Sequence, residues 1–128
     1  TEQGTRDVFG GAWPAGGFYA STEFVQQNPR TAQALARVAV ATLKYINEHS
    51  AEEIAAKLPG QLFYPDGDQA SFASVLKANQ KMFSPDGKMP SDGPNNVLET
   101  LKAADTKTDW SAVDLSKTFT NALVDAVK

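Results

Sequence analysis

The stretch STEFVQQNPRTAQALARVAVATLKYINEHSAEEIAAKLP, residues 21–59, decides the fold because it predicts three consecutive helices. Ser21 or Thr22 is a suitable N-cap for a short first helix, since either hydroxyl can accept a hydrogen bond from a free amide of the first turn. A second helix is then predicted to begin at Pro29, with Asn28 as its N-cap. A proline at the first helical position lacks only a donor that would be unsatisfied in any case. A glycine-rich loop lies directly before these helices.

The helix that begins at Pro29 is predicted to run to about Glu48, and its pattern is the clearest in the chain. Its inward-facing stripe is formed by residues at helical spacing, namely Leu35, Val38, Ala39, Thr42, Tyr45 and Ile46. The next helix opens with a capping box, in which Ser50 and Glu53 each bond the other's backbone amide. It ends at Pro59.

The remaining sequence predicts further helices separated by turns. YPDG (64–67) and SPDG (84–87) are typical turn sequences, and Asp68 opens a helix between them. The buried side of that helix and of the residues after it is predicted to carry Phe72, Val75, Leu76, Met82 and Phe83. Another helix starts at Pro94. A final one, capped by Asp114, is predicted from the spacing of Leu115, Phe119, Leu123 and Val127.

The loop FGGAWPAGGFYA (9–20) follows a polar stretch, residues 1–6, that is predicted to be extended. Its glycines suggest unusual backbone angles or a close approach to another group. Residues 18–20 are the best strand candidate. A strand this short needs partner strands to satisfy its backbone groups. The sequence offers none of convincing length, so the partners are expected outside this chain.

Composition excludes several functional classes. The net charge is −3 and basic residues are scattered, which argues against a nucleic-acid partner. No apolar run approaches the length of a membrane span. The absence of cysteine is compatible with an oxidising compartment. Because the chain starts at Thr1, we expect either a processed mature chain or an internal fragment.

Catalytic chemistry has little support in the sequence. The single histidine, His49, lies at a predicted helix C-terminus, where a capping role is favoured over a general base. Asp66 and Asp68 lack the other ligands of a calcium loop. Glu52 and Glu53 stabilise the first turn of a helix, and the glycine loop lacks the residues of a phosphate-binding P-loop. The sequence predicts a protein that is not an enzyme and holds no metal or cofactor.

The order of the motifs resembles a known family. Tyr19 is followed by Phe24 and by Asn28-Pro29, residues 83–101 read FSPDGKMPSDGPNNVLETL, and residues 114–121 read DLSKTFTN. Together they resemble the C-terminal part of the substrate-binding proteins of ABC importers. The resemblance is to the nitrate, sulfonate and taurine group, which also includes thiamine-precursor binders.

This resemblance implies an α/β fold, the helix-rich C-terminal part of a type II periplasmic-binding-protein fold with one or two short strands near the hinge. Residues 1–21 would form a hinge-proximal loop and crossover strand. Residues 22–128 would form a helical segment that packs on the first lobe. Family members are more than twice as long as this chain, so that lobe is expected elsewhere.

The function implied by the resemblance is that of a solute-binding component that delivers a small anionic or zwitterionic solute to an ABC permease. Its location would be periplasmic or extracytoplasmic, with a lipid anchor in a Gram-positive organism. The chain is expected to associate with the missing N-terminal part of the same protein or with itself. The alternative is a small self-contained helical protein-interaction domain.

The predicted ligand-binding residues are Trp13, Gly17, Tyr19 and Ser21. The glycine permits close approach to the backbone, and the aromatic rings offer apolar walls. Two alternatives stay open: Tyr19 as a core residue and Ser21 as a helix cap. In an extended segment, Gly17, Tyr19 and Ser21 would share one face.

Overall fold

The computed structural model describes residues 2–127, which form α-helices joined by turns, short 3₁₀ helices and irregular segments. The α-helices are Glu2–Phe9 (α1), Thr22–Gln27 (α2), Pro29–Glu48 (α3), Ala51–Lys57 (α4), Gly60–Phe63 (α5), Gln69–Asn79 (α6), Gly93–Ala104 (α7) and Ala122–Asp125 (α8). The 3₁₀ helices are Gln80–Met82, Trp110–Ala112 and Leu115–Lys117.

The predicted α/β fold is wrong, because residues 2–127 contain helices and no strand. Residues 18–20 have the β-branched or aromatic character of a strand only in part, and a single extended segment cannot form a ladder without a second one. The expectation of an extended N-terminus is also wrong, since α1 covers Glu2–Phe9.

The predicted helix starts in residues 21–59 are confirmed. Ser21 caps α2, with its Oγ accepting a 3.1 Å hydrogen bond from the Phe24 amide. The capping box at the start of α4 is complete: the Glu53 amide donates to Ser50 Oγ at 3.2 Å, and the Ser50 amide donates to Glu53 Oε2 at 2.9 Å. α3 begins at Pro29 as predicted.

The prediction of one continuous C-terminal helix after Asp114 is wrong. Asp114 caps only the short 3₁₀ helix Leu115–Lys117, and α8 begins seven residues later at Ala122. Between the two helices, threonine hydroxyls form hydrogen bonds with nearby backbone groups. Such bonds compete with the backbone hydrogen bonds of a continuous helix. Thr118 Oγ1 donates to the Leu115 carbonyl, and Thr120 Oγ1 accepts from the Ala122 amide.

The chain divides into two compact units. The first unit contains residues 38–87, and the second contains residues 3–37 together with residues 88–127. α3 contributes residues to both.

In the first unit, α4 packs against α6. Their small residues allow a close approach, with Ala51, Ala55 and Ala73 buried around Ile54. The Phe72 ring lies 6.0 Å from that of Phe63 in an edge contact. The predicted inner face is correct only in part, because Val75 remains 64% exposed.

Two side-chain amides tie the irregular parts of the first unit to the end of α3. Gln80 Nε2 donates to the carbonyls of Ile46 and His49. Asn47 Nδ2 donates to the Ser84 carbonyl at 3.2 Å, just where the second predicted turn begins. The two Gln80 bonds satisfy carbonyls that the C-terminus of α3 otherwise leaves without partners.

In the second unit, hydrogen bonds join segments that are far apart in sequence. Gln33 Nε2 donates to the Leu123 carbonyl at 2.9 Å, and the Met89 amide donates to Asn121 Oδ1 at 3.0 Å. Lys88 and Asp125 form an ion pair at 2.7 Å.

Candidate functional site

The glycine-rich loop is fixed by two side chains of the segment that opens α7. Asp92 Oδ2 accepts from the Ala12 amide at 3.0 Å, and Asn96 Nδ2 donates to the Ala12 carbonyl at 3.1 Å. Both backbone groups of one loop residue are therefore satisfied by long-range partners. We call Gly11, Ala12, Asp92 and Asn96 the loop clamp.

Glycine is required inside the loop clamp for steric reasons. A Cβ added at Gly11 would lie 2.5 Å from both Asn96 Nδ2 and Asp92 Oδ2. Gly93 is similarly constrained, because a Cβ there would lie 3.0 Å from the ring of Pro14. Both glycines are buried. The clamp therefore depends on the absence of a side chain at Gly11, whereas a Cβ at Gly93 would need only a small shift of the Pro14 ring.

The Asp92 carboxylate is stabilised in its charged form by the clamp. The hydrogen bond from the Ala12 amide lowers the pKa of Asp92 below its usual value, with smaller contributions from its own amide, Arg6 and Asn96. Hydrogen bonds from backbone amides to a carboxylate weaken when the carboxylate is protonated. The clamp is accordingly an acid-sensitive contact.

Trp13 follows the clamp and stacks on Phe9. The two ring centroids are 4.3 Å apart with an interplanar angle of 24°. Trp13 is half-buried, so one part of the indole is committed to packing within the chain. Its position as the wall of a ligand site stays a prediction, but the ring also has a structural role.

Residues 15–20, which we call the aromatic segment, make no hydrogen bond within the described part of the chain. They are all exposed, and the side chains of Phe18 and Tyr19 are 76% and 90% accessible. The loop clamp holds the chain before the segment, and α2, capped by Ser21, follows it. Tyr19 is therefore not a core residue of this chain.

The four predicted ligand-binding residues lie along one continuous stretch and do not converge on a cavity of the described structure. Trp13 packs beside the clamp, Gly17 and Tyr19 lie in the aromatic segment, and Ser21 caps α2. Sequence reasoning missed Asp92 and Asn96. The only signal was the polar run SDGPNN at 91–96, which predicts a loop before a helix but does not name its partner.

A second cluster lies at the end of α3 in the first unit. The His49 ring stacks on Tyr45 at 3.7 Å, and Lys57 Nζ lies 5.1 Å from the Tyr45 ring centroid. His49 Nδ1 is 3.0 Å from the Tyr45 carbonyl, which suits the predicted role at a helix C-terminus. The buried Tyr45 hydroxyl has no hydrogen-bond partner.

Two shallow depressions also lie in the first unit. One has a volume of about 270 Å³ and is lined by Glu52, Gln69, Ala70 and Ala73. The other is about 380 Å³ and is lined by polar residues around His49 and Gln80. Neither contains the acid/base or ligand geometry of a recognised site. Across residues 2–127, no group of three acidic, histidine or cysteine side chains is placed to hold a metal ion.

Large apolar side chains are conspicuously exposed on both units. The buried hydrophobic residues of the described chain are Ile54 and five alanines, namely Ala32, Ala36, Ala51, Ala55 and Ala73. By contrast, Val8 and Leu62 are 74% and 77% exposed. Among the helices described, none is both long enough and apolar enough to cross a membrane.

The chain is similar to a solved structure of a protein from Bordetella bronchiseptica RB50, with a TM-score of 0.88 and 38% sequence identity. The match covers 98% of this chain but 39% of that chain, so this chain spans well under half of the relative's length. No protein-family model matches the chain, and no curated protein matches it.

Proposed function

We propose that this chain is a helical protein-docking piece, whose apolar helix faces and aromatic segment are covered by another polypeptide. The observation that carries this proposal is the amount of surface it exposes. The accessible surface is 9325 Å² for a mass of 13.7 kDa. A compact folded protein of this mass exposes about 6,600 Å².

The excess remains even when the two units are counted as separate bodies. Two compact bodies of half this mass expose about 7,900 Å² together, which leaves an excess of about 1,400 Å². A stable protein–protein interface buries about 800 Å² on each partner. The excess surface is therefore enough for a docking interface.

The exposed apolar side chains support the same proposal. Large exposed apolar side chains mark an interaction site where they lie together on the surface. On the first unit, Leu62, Val75 and Met82 are each more than half exposed. On the second unit, Val8 and the two rings of the aromatic segment are exposed as well. Binding a protein partner would remove these groups from water.

The test is to purify the isolated chain and measure its hydrophobic surface and association state. We expect strong binding of an apolar fluorescent dye, and concentration-dependent association by light scattering. A strictly monomeric chain that binds no dye and unfolds cooperatively would contradict a docking function. The control is a variant with Leu62, Val75 and Met82 all changed to Ser, which should bind less dye.

A second candidate is supported by the length relation to the Bordetella protein. That chain is about two and a half times as long as this one, and the binding proteins of ABC importers that the motifs resemble are also more than twice as long. The second candidate function is the solute-binding component of an importer for a small anionic or zwitterionic solute, of which this chain supplies one part. The location would then be periplasmic or extracytoplasmic.

This candidate is tested in the full-length parent by calorimetry with a panel of sulfonates, nitrate and related solutes. Tyr19→Ala should weaken binding by roughly 1–3 kcal/mol, the scale of losing one aromatic wall. Tyr19 is a better probe than Trp13, because Trp13 also stacks on Phe9. Tyr19→Phe, which keeps the ring, is the matched control. No binding of any solute in the panel would favour the docking function alone.

A further inference from the structure

The aromatic segment combines three properties that together indicate a docking element. Its two rings are nearly fully accessible. Its backbone amides and carbonyls, over six consecutive residues, form no hydrogen bond with the described chain. The chain just before it is nevertheless held by the loop clamp, and the chain just after it enters the capped helix α2.

We infer that the aromatic segment is the anchor of the docking surface, and that its occupant is the polypeptide corresponding to the rest of a longer chain like the Bordetella protein. This inference rests on the proposed docking function and names its partner and its central contact. The occupant is identified from the lengths of the two chains. In the Bordetella protein, 61% of the chain has no counterpart in this chain, while 98% of this chain has a counterpart there.

A polypeptide suits this segment better than a small solute. Covering Phe18 and Tyr19 also covers the main chain between and beside them, and buried amides and carbonyls need hydrogen-bond partners. A partner polypeptide supplies both donors and acceptors along an extended path. A small solute in contact with one ring leaves most of the six residues in water.

A second copy of this chain is a weaker occupant. A symmetric dimer covers the same patch on both copies. Here the exposed apolar side chains lie on both units, from Val8 in α1 to Leu62 in α5. A larger covering body fits these observations.

The loop clamp explains how two rings could act as anchors. Tyrosine is enriched among the residues that dominate binding energy. Ordering a flexible loop on binding costs free energy, and a segment whose start is already held avoids part of that cost. In this arrangement, Asp92 and Asn96 are positioning residues, because they act through the segment and do not meet the partner.

The experiment measures hydrogen exchange of the amides of residues 15–20 in two settings. One is the isolated chain; the other is a chimera in which this chain replaces the matching part of the Bordetella protein. We expect exchange at least ~100-fold slower in the chimera, because those amides gain partners there. The equivalent segment of the unmodified Bordetella protein should be protected as well, which gives a result even if the chimera does not fold.

Variants then test the anchor role. Tyr19→Ala in the chimera should restore fast exchange at the neighbouring residues, while Tyr19→Phe should keep most of the protection. In the isolated chain, neither variant should change exchange, since Tyr19 is 90% exposed there. Asp92→Ala should speed exchange at residues 15–20 in the chimera, because the chain before the segment is no longer held.

The outcomes separate this inference from the docking function on which it rests. Fast exchange at residues 15–20 in both long chains, with slow exchange on the apolar helix faces, would overturn the anchor and leave the docking function standing. A homodimer of the isolated chain that protects residues 15–20 would overturn the assigned partner. Helix amides that exchange no more slowly in both long chains than in the isolated chain would overturn the docking function itself.

Discussion

Gly11 is the residue at which side-chain size has the clearest consequence. Any side chain there meets the two polar groups that hold Ala12, so the loop clamp and a Cβ at this position exclude each other. The neighbouring Gly16 has open space around a Cβ, and its backbone does not lie in the left-handed region. These two glycines form a matched pair.

We predict that Gly11→Ala lowers the free energy of unfolding by about 1–2 kcal/mol, the scale of displaced hydrogen bonds. Gly16→Ala should be neutral or stabilising by up to about 1 kcal/mol, because it restricts only the unfolded chain. Urea unfolding followed by circular dichroism measures both. Equal stability of the two variants would show that the clamp contributes nothing.

Two tyrosines of the first unit differ in whether the hydroxyl has a partner. Tyr64 Oη lies 3.0 Å from the Ala55 carbonyl and 3.2 Å from that of Leu58 and can donate its one proton to either, whereas the buried Tyr45 hydroxyl has no partner. Tyr64→Phe should cost about 0.5–1.5 kcal/mol, and Tyr45→Phe should be neutral or stabilising. Thermal unfolding of both variants tests this. The opposite order would be inconsistent with the described contacts.

At the residue scale, sequence reasoning succeeded where the interaction is local. Ser21 was a candidate for both a cap and a ligand donor, and the cap is present because its partner is only three residues away. Asp92 and Asn96 could not be assigned to Ala12 from sequence, since 80 and 84 residues separate the partners. The periodicity of the sequence gives no indication of a contact between residues so far apart.

At the element scale, the helices begin at side chains that accept amide hydrogen bonds, and these starts are testable one at a time. Ser50→Ala removes the capping box of α4 and should cost about 1 kcal/mol. Ser74→Ala is the control, because Ser74 is an exposed residue inside α6, where alanine is the better helix former. Chemical denaturation of both variants gives the comparison. A Ser50→Ala variant as stable as the wild type would contradict a stabilising box.

The same caps predict a dependence of stability on pH. Hydrogen bonds from serine lower the pKa of Glu53 at α4, of Asp68 at α6 and of Asp114 near the C-terminus. A carboxyl whose folded pKa is lowered stabilises the fold above its unfolded pKa, and this stabilisation is lost as the pH falls through the folded pKa. Stability should therefore be level from about pH 5 to 8 and should fall below about pH 4.

The measurement is the midpoint of thermal unfolding as a function of pH. Asp92→Asn should flatten the acid limb, because the clamp residue also has a lowered pKa while asparagine does not titrate. An acid limb of the same slope in the variant and the wild type would exclude Asp92 from this dependence.

Element types were predictable where local signals agree, and failed where they conflict. α3 and α4 have apolar periodicity, a proline or capping box at the start and no competing hydroxyl cluster. The C-terminal residues have the same apolar spacing, but threonines at 118 and 120 bond the backbone and interrupt the helix. The strand expected at 18–20 failed for a different reason, since strand pairing depends on a second segment and not on the residues themselves.

At the scale of the whole molecule, the exposed surface predicts an unusual denaturation slope. The unfolded chain exposes about 19,900 Å², so folding to 9325 Å² buries about a fifth less surface than folding to a compact protein of this mass. The urea m-value scales with that area. We predict an m-value about one fifth below that of compact domains of equal mass, measured at low protein concentration. An m-value typical of this mass would contradict the exposed surface.

The two-unit division was not predictable from the sequence. The division at residue 21 that the family resemblance implies concerns a hinge and a lobe, and it stays a prediction. The observed compact units are of another kind, since one of them combines residues 3–37 with residues 88–127. A change in composition is a local property of the sequence, whereas a compact unit is defined by contacts between residues that can lie far apart in it.

The loop clamp has a consequence for synthesis of the chain. Ala12 leaves the ribosome 80 residues before Asp92, which is the first partner that can hold it. At about 5–20 residues per second, this is a delay of roughly 4–16 seconds. Residues 38–87 can fold during that time from contacts close in sequence, whereas the nascent N-terminal loop has to wait with its aromatic rings in solution. Chaperones that bind extended apolar segments would have their opportunity there.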